Sequence, residues 1–193
     1  MPRISKAPEI RKQEIMDTAM GLFAQNGYNV TSIADIAKAM NVVPGLIYRY
    51  FTSKQELFDV AVKQYAEESG SVFLPVLRDQ ELPLEEKLNR MMSKMVELEH
   101  HSRYSEFYHK PGNQTFHVQL ALEMCSFMAP YLEEEVRRMC REGLLTEEHP
   151  RMLAGFILHG LLSLWEAPHD SIASFEEQVQ ITARYIKRLL GIL

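Results

Sequence analysis

Two Glu-x-x-His pairs, Glu97–His100 and Glu106–His109, have the residue types and spacing for metal chemistry. Helical positions three apart share a face, and pairs of this kind hold two-metal centres in carboxylate bundles. Such a centre needs the pairs on facing helices and a glutamate from each of two more. Here they stand nine residues apart across a break in the helical pattern. Neighbours such as His100 and His101 also diverge by about 100° around a helix. Solvated polar faces account for these residues. A helical-bundle enzyme or metal-binding protein is the alternative, and no metal or other cofactor is expected. No glycine-rich phosphate loop, Ser/His/Asp spacing or Cys/His zinc pattern accompanies them. Cys125 and Cys140 lie in one helical pattern. That separates them by roughly 22 Å of rise, whereas a disulfide needs Cα atoms within about 7 Å, so reduced thiols are expected.

The stretch TSIADIAKAMNVVPGLIYRYFTSKQEL, residues 31–57, points to a different chemistry. Ser32 with Asp35 forms a capping box. Ile33, Ile36, Ala37 and Met40 follow at i, i+3, i+4 and i+7, a helix of about two turns with one apolar face. Asn41 tolerates a left-handed backbone and suits a tight turn. Pro44 loses no amide hydrogen at a first helical position, so it opens a second short helix that ends near Phe51. Ser53 and Glu56 make a second box before a longer helix. Two short helices joined by a tight turn and packed on a preceding one make a helix-turn-helix, whose second helix enters the major groove of DNA. Pro44 and Gly45 give that helix a slim leading end, and Ile47 and Phe51 hold it to the core. Leu46 and Arg49 reach towards base edges. Tyr48, Tyr50 and Lys54 lie near the rim, where hydroxyls and an ammonium bond phosphates. The amides of the helix starting at Thr31 face another phosphate. Singly, Tyr48 and Phe51 also fit a core, and Ser32 and Ser53 fit ordinary caps; their shared spacing points to DNA.

These elements need a scaffold, and almost every other segment is helical in period, with no alternating strand pattern: the fold class is all-α. A first helix is expected over Pro8–Asn26, with Ile15, Ala19, Leu22 and Phe23 on one face and Gly27 as its terminator. FLPVLRDQELPLEEK, with Pro75 and Pro83, is expected to be a connection. Long helices follow at about 84–101, 114–142, 147–166 and 173–190. Short helices first and long ones after divide the chain into a three-helix head, residues 1–55, and a larger helical body, 56–193. Net charge is −5, but residues 1–60 carry +1 and 61–193 carry −6, so a polyanion would attract the head and repel the body. No apolar run follows the basic N-terminus. The most apolar window, MLAGFILHGLLSLW at 152–165, is too short to cross a bilayer. A cytoplasmic protein with no membrane partner is expected.

Thr31-Ser32 before a hydrophobic position, then Ile36-Ala37, Val42, Gly45, Tyr48, Phe51 and Ser53-Lys54-x-Glu56-Leu57, resemble the tetracycline-repressor (TetR) family. Phe23 and the Asn26-Gly27-Tyr28 ending of the first helix are similar too, so the likeness covers about residues 10–60. The remainder resembles the family in length and helical character. The resemblance implies a homodimeric transcriptional regulator, most often a repressor. Its heads bind a near-palindromic double-stranded operator, and its bodies bind a small-molecule effector that moves the heads out of register. By motif position, Thr31, Tyr48, Tyr50 and Lys54 contact phosphates, and Pro44, Gly45, Leu46 and Arg49 lie at or near the bases. Two positions depart from the family: Asn41 stands where Gly is common, and Val43 where Ser or Thr is common. The second departure removes an N-cap worth about 0.5–2 kcal/mol and leaves no hydroxyl for the phosphate contact expected there.

In the body, RMLAGFILHGLLSLWEA is apolar nearly all round and must be buried. With the final helix it is the expected dimer interface, through Gly155, Leu158, Leu162, Trp165, Val179, Ile186 and Leu190, as a four-helix bundle across a two-fold axis. Filling a monomer core is the other use of such helices. The resemblance implies a ligand chamber, with Met91, Met95, Phe107, Tyr108, His117, Met124, Phe127 and Met128 as inward candidates. Methionine adapts to varied shapes, so that lining suits a hydrophobic or aromatic effector. Met and Phe at helical spacing are also what a plain core looks like.

Overall fold

Proline at helix starts, and glycine or asparagine at helix ends, divide this chain into its elements. The computed structural model describes residues 7–101, 113–166 and 174–192. Among them the helices are α1 (Pro8–Asn26), α2 (Ile33–Ala39), α3 (Pro44–Ile47), α4 (Lys54–Ser71), α5 (Leu74–Arg78), α6 (Leu84–His101), α7 (Gln114–Arg141), α8 (Pro150–Glu166) and α9 (Phe175–Leu189). The described residues contain no strand. One expected connection is corrected. Pro75 sits in the first turn of a helix, where it loses no hydrogen bond, so residues 74–78 fold as α5 instead of crossing as an open loop.

Two cores result. The head core closes around Phe23, Ile36, Ile47, Phe51, Leu57, Phe58 and Val62, each with almost no exposed surface. The body core is built from α5 to α9. α4 serves both, since Phe58, Ala61, Val62 and Tyr65 complete the head while Ser69 and Gly70 lie buried further along. α7 reaches the head as well. Leu120 belongs to the head core, and the Phe116 ring lies 5.1 Å from Tyr28 and 4.8 Å from Phe58, centroid to centroid. The Gln119 amide donates to Asp59 Oδ1 at 3.0 Å beside these rings. Cys125 and Cys140 both fall on α7 and are free thiols.

Where α4 crosses α7 the backbones come close because residue 70 has no side chain. A Cβ there would stand 2.6 Å from Phe127 Cδ1, inside any tolerable contact. Gly70→Ala is therefore expected to lower stability by about 1–3 kcal/mol through overpacking. Gly21→Ala, in α1 where a Cβ meets nothing within 4 Å, is expected to raise it by about 0.4–1 kcal/mol. Urea midpoints at unchanged m-value check both.

Candidate functional site

The turn between α2 and α3 is specified residue by residue. The Ser32 hydroxyl accepts from the Asp35 amide at 3.2 Å, and Asp35 Oδ2 accepts from the Ser32 amide at 2.9 Å, so the capping box is complete. Hydrogen bonds from the Ser32 side chain and backbone hold the Asp35 carboxyl below the usual carboxylate range. At the other end of α2, Asn41 takes φ 53°, and the Val42 amide bonds the Ala37 carbonyl at 2.9 Å. This is the Schellman closure, made with asparagine in place of glycine. Pro44 then opens α3. Beyond Ile47 the coil tightens: the amide of Tyr50 bonds Ile47 O at 2.9 Å, an i→i+3 turn, and Phe51 bonds the same carbonyl at 3.1 Å.

Ile47 and Phe51 are buried and pin α3 to the head. Pro44, Gly45, Tyr48 and Arg49 point outwards, with Tyr48 54% exposed, while Leu46 and Tyr50 are half-buried at the margin. A Cβ on Gly45 would meet nothing within 4 Å, so the head's own packing does not demand a glycine there. The space it leaves lies on the outer edge. Val43 is 66% exposed beside it, and its part in that edge was hidden in the sequence behind its failure as a cap.

Three expectations at the rim are corrected. Thr31 is only 3% exposed, and its hydroxyl donates to the Gly27 carbonyl at 2.8 Å, closing the α1–α2 turn instead of facing a phosphate. Lys54 is likewise engaged. Its ammonium donates to the carbonyls of Tyr28 at 2.8 Å and Thr31 at 3.1 Å, and lies 4.2 Å from the centroid of the Tyr28 ring. The second capping box is half formed. Ser53 Oγ accepts from the Glu56 amide at 3.0 Å, but the Glu56 carboxylate accepts from the Thr52 amide at 2.6 Å, one residue further back. Hydrogen bonds from Thr52 keep that carboxyl low.

In the body, Met91, Met95, Met124 and Met128 line one cavity of about 70 Å³, with Phe73, Met92 and Cys125. Burial pushes the Cys125 thiol up to about 11, and its sulfur approaches the Leu158 carbonyl at 3.5 Å. Phe127 turns away to Gly70 and to Tyr131, 5.3 Å between centroids, and His117 is buried apart from the cavity walls. Phe107, Tyr108 and the Glu106–His109 pair lie outside the described residues, as do the side chains of His100 and Trp165. The interface stripe needs correction too. Leu158, Leu162, Val179, Ile186 and Leu190 are buried within the subunit, so they have no area left to bury against a second one, and Gly155 is half-buried. The outward face of α8 and α9 instead carries Phe156, 67% exposed, and Tyr185, 60% exposed, with Met152, Ile181 and Leu189. Several of these flank a groove of about 410 Å³.

A pinned second helix with an outward polar–aromatic edge, on a two-core helical chain, defines a helix-turn-helix protein with an attached helical body. Residues 15–61 match the family model "Bacterial regulatory proteins, tetR family". The HTH-type transcriptional repressor KstR2 of Mycobacterium tuberculosis is 26% identical over 101 residues, 52% of this chain and 50% of that protein, so the chain matches about half the length of this relative. The HTH-type transcriptional regulator YhgD of Bacillus subtilis is 26% identical over 172 residues, 84% of this chain and 87% of its own. Among solved structures, RolR in complex with resorcinol has the same fold, with a TM-score of 0.67 at 19% identity over 95% of this chain and 88% of that one. Residues 15–61 thus resemble the TetR family by sequence, and the chain shares its fold with RolR over 95% of its length.

Lys54 separates a structural from a DNA-contacting role. Lys54→Met is expected to destabilise the free protein by about 1.5–3 kcal/mol, because two loop carbonyls lose a charged donor. A lysine that served only a phosphate would leave the melting of the free protein unchanged and would flatten the salt dependence of DNA binding by about one unit of slope.

Proposed function

We propose that the chain is a ligand-responsive transcriptional regulator working in the repressor mode. It binds a near-palindromic DNA duplex as a homodimer in the cytoplasm, and a small hydrophobic or aromatic effector held in the body releases it. The observation that carries this reading is the outward edge Val43–Arg49 on a helix fixed from behind by Ile47 and Phe51. A helix so held can enter the major groove as a rigid unit, with Arg49 placed for a base edge and the Tyr48 hydroxyl for a phosphate. KstR2 is named a repressor and RolR was crystallised with resorcinol. Both support carrying repression and a small effector to this chain.

The dimer is assigned to the outward face of α8 and α9. A contiguous apolar patch around Phe156 and Tyr185 would be costly in a free monomer and is what an isologous interface supplies. The enzyme or metal-protein alternative would rest on the Glu/His pairs, of which Glu106–His109 lies outside the described residues. Among the described residues no three His, Cys, Asp or Glu side chains are grouped to hold a metal ion. No helix among them is long and apolar enough to cross a membrane.

Selection of bound duplexes from a random pool supplies the operator, and two experiments then follow. Affinity is expected to fall with salt at a log–log slope of about −0.9 for each phosphate neutralised. Arg49→Ala is expected to lose about 1–3 kcal/mol and relax preference at one position of each half-site, whereas Tyr48→Phe weakens all sequences alike. Unchanged sequence preference in the Arg49 variant would overturn the docking of α3. Phe156→Glu combined with Tyr185→Glu is expected to yield monomers in sedimentation and to abolish operator binding, with the helical signal intact.

A further inference from the structure

The leading half of the α3 segment carries no hydrogen-bonding side chain. Residues 43–46 are Val-Pro-Gly-Leu, and the first polar side chains after them are Tyr48 and Arg49. Pro44 also lacks an amide hydrogen, and the Leu46 amide is spent on the Val43 carbonyl at 2.9 Å. Val43 holds extended backbone, φ −83° and ψ 145°, and its side chain caps nothing. That conformation takes it out of helical register, in which a residue four before the buried Ile47 would face inwards. It stands 66% exposed instead, and Pro44 and Gly45 after it are exposed as well. A Cβ on Gly45 would meet nothing within 4 Å, so no other described part of the chain crowds this end.

A lone exposed valine carries no meaning on a protein surface. A run of positions without a polar side chain, at the start of a helix that enters a groove, is a different matter. Residues at that end of a recognition helix are the ones that meet base edges. The major groove presents hydrogen-bond donors and acceptors and one apolar group, the C5 methyl of thymine. Side chains with neither donor nor acceptor gain by covering that methyl, and they leave unpaired the polar edge of any other base that they desolvate. Within the run Gly45 has no side chain and Leu46 is half-buried. Val43 offers both its methyl groups to the outside on a β-branched, stiff side chain.

We propose that Val43 is a specificity residue that recognises the 5-methyl group of one thymine in each operator half-site. This deepens the DNA-binding reading above and rests on it. The segment is then divided by chemistry: its leading end selects thymine by apolar contact, and Arg49, further along, selects a hydrogen-bonding base edge.

The test uses the full-length protein and the duplex obtained by selection, with each thymine in turn replaced by uracil in both half-sites. Uracil lacks only the methyl and keeps every hydrogen-bonding group. At one position the change is expected to weaken binding about fourfold for each half-site, the worth of one buried methyl, and about fifteenfold for the two together. At that position 5-methylcytosine is expected to bind more tightly than cytosine. Val43→Ser is expected to bind the thymine and uracil duplexes equally, whereas Val43→Ile keeps the difference. The position is exposed, so neither variant disturbs the core, and the uracil series on the unaltered protein depends on neither. If no change from thymine to uracil matters, or if cytosine and 5-methylcytosine bind alike, the methyl contact fails while DNA binding stands. A uracil effect that persists in Val43→Ser gives the methyl to a neighbouring residue and overturns the assignment to Val43. Selection that recovers no duplex overturns the DNA-binding reading itself, and this one with it.

Discussion

The contact between the aromatic end of the head and the first turns of α7 fixes where the outward edge of α3 points. Phe58 stands at its centre, with the Phe23 ring 5.8 Å, the Tyr28 ring 5.0 Å and the Phe116 ring 4.8 Å from it, centroid to centroid. Tilted and edge-on pairs of this kind are worth about 0.5–1.5 kcal/mol each beyond the area they bury. More important is whose rings they are. Three belong to the head and one to the body, so the head does not complete its own core without α7. The Tyr28 hydroxyl donates to Gln55 at 2.7 Å and Gln55 donates to Asp59 at 2.8 Å, the carboxylate that also receives Gln119, so a polar chain runs beside the rings across the same boundary.

α7 therefore touches both the head and the cavity of the body. Its first turns carry Phe116 and Leu120 into the head, its middle supplies Met124, Cys125 and Met128 to the cavity, and Glu135 holds Lys87 further along. Gly70 lets α4 rest directly on this helix at Phe127. Only the Phe127 ring lies between the two helices there, so they cannot be pushed closer together. In the regulator reading, an occupant of the cavity presses on the same rod that ends under Phe58, and the head turns with it. The structure holds one state of that rod.

The head was legible because its determinants are local. The Ser32–Asp35 box, the left-handed Asn41 and the leading Pro44 are each decided within about five residues, where capping and turn chemistry act, and the structure has all three. Contacts that close over distance were not legible. Thr31 and Lys54 have the right types for phosphate contact, but Lys54 finds carbonyls 23 and 26 residues earlier in the chain, and periodicity carries no information on that. The Lys87–Glu135 pair spans 48 residues and left no trace in the pattern. α8 failed for another reason. It is apolar on two faces, so its sequence states that both are covered without saying which is covered by its own chain, and the inner face was taken for the outer. The cavity methionines were found since they share the inner face of α6 and α7.

Cys125 lines the chamber with a thiol held protonated by its surroundings. The thiolate is the form that peroxide and electrophiles attack, and at neutral pH a group titrating near 11 is ionised at about one part in ten thousand. Oxidants therefore find little thiolate to attack at Cys125.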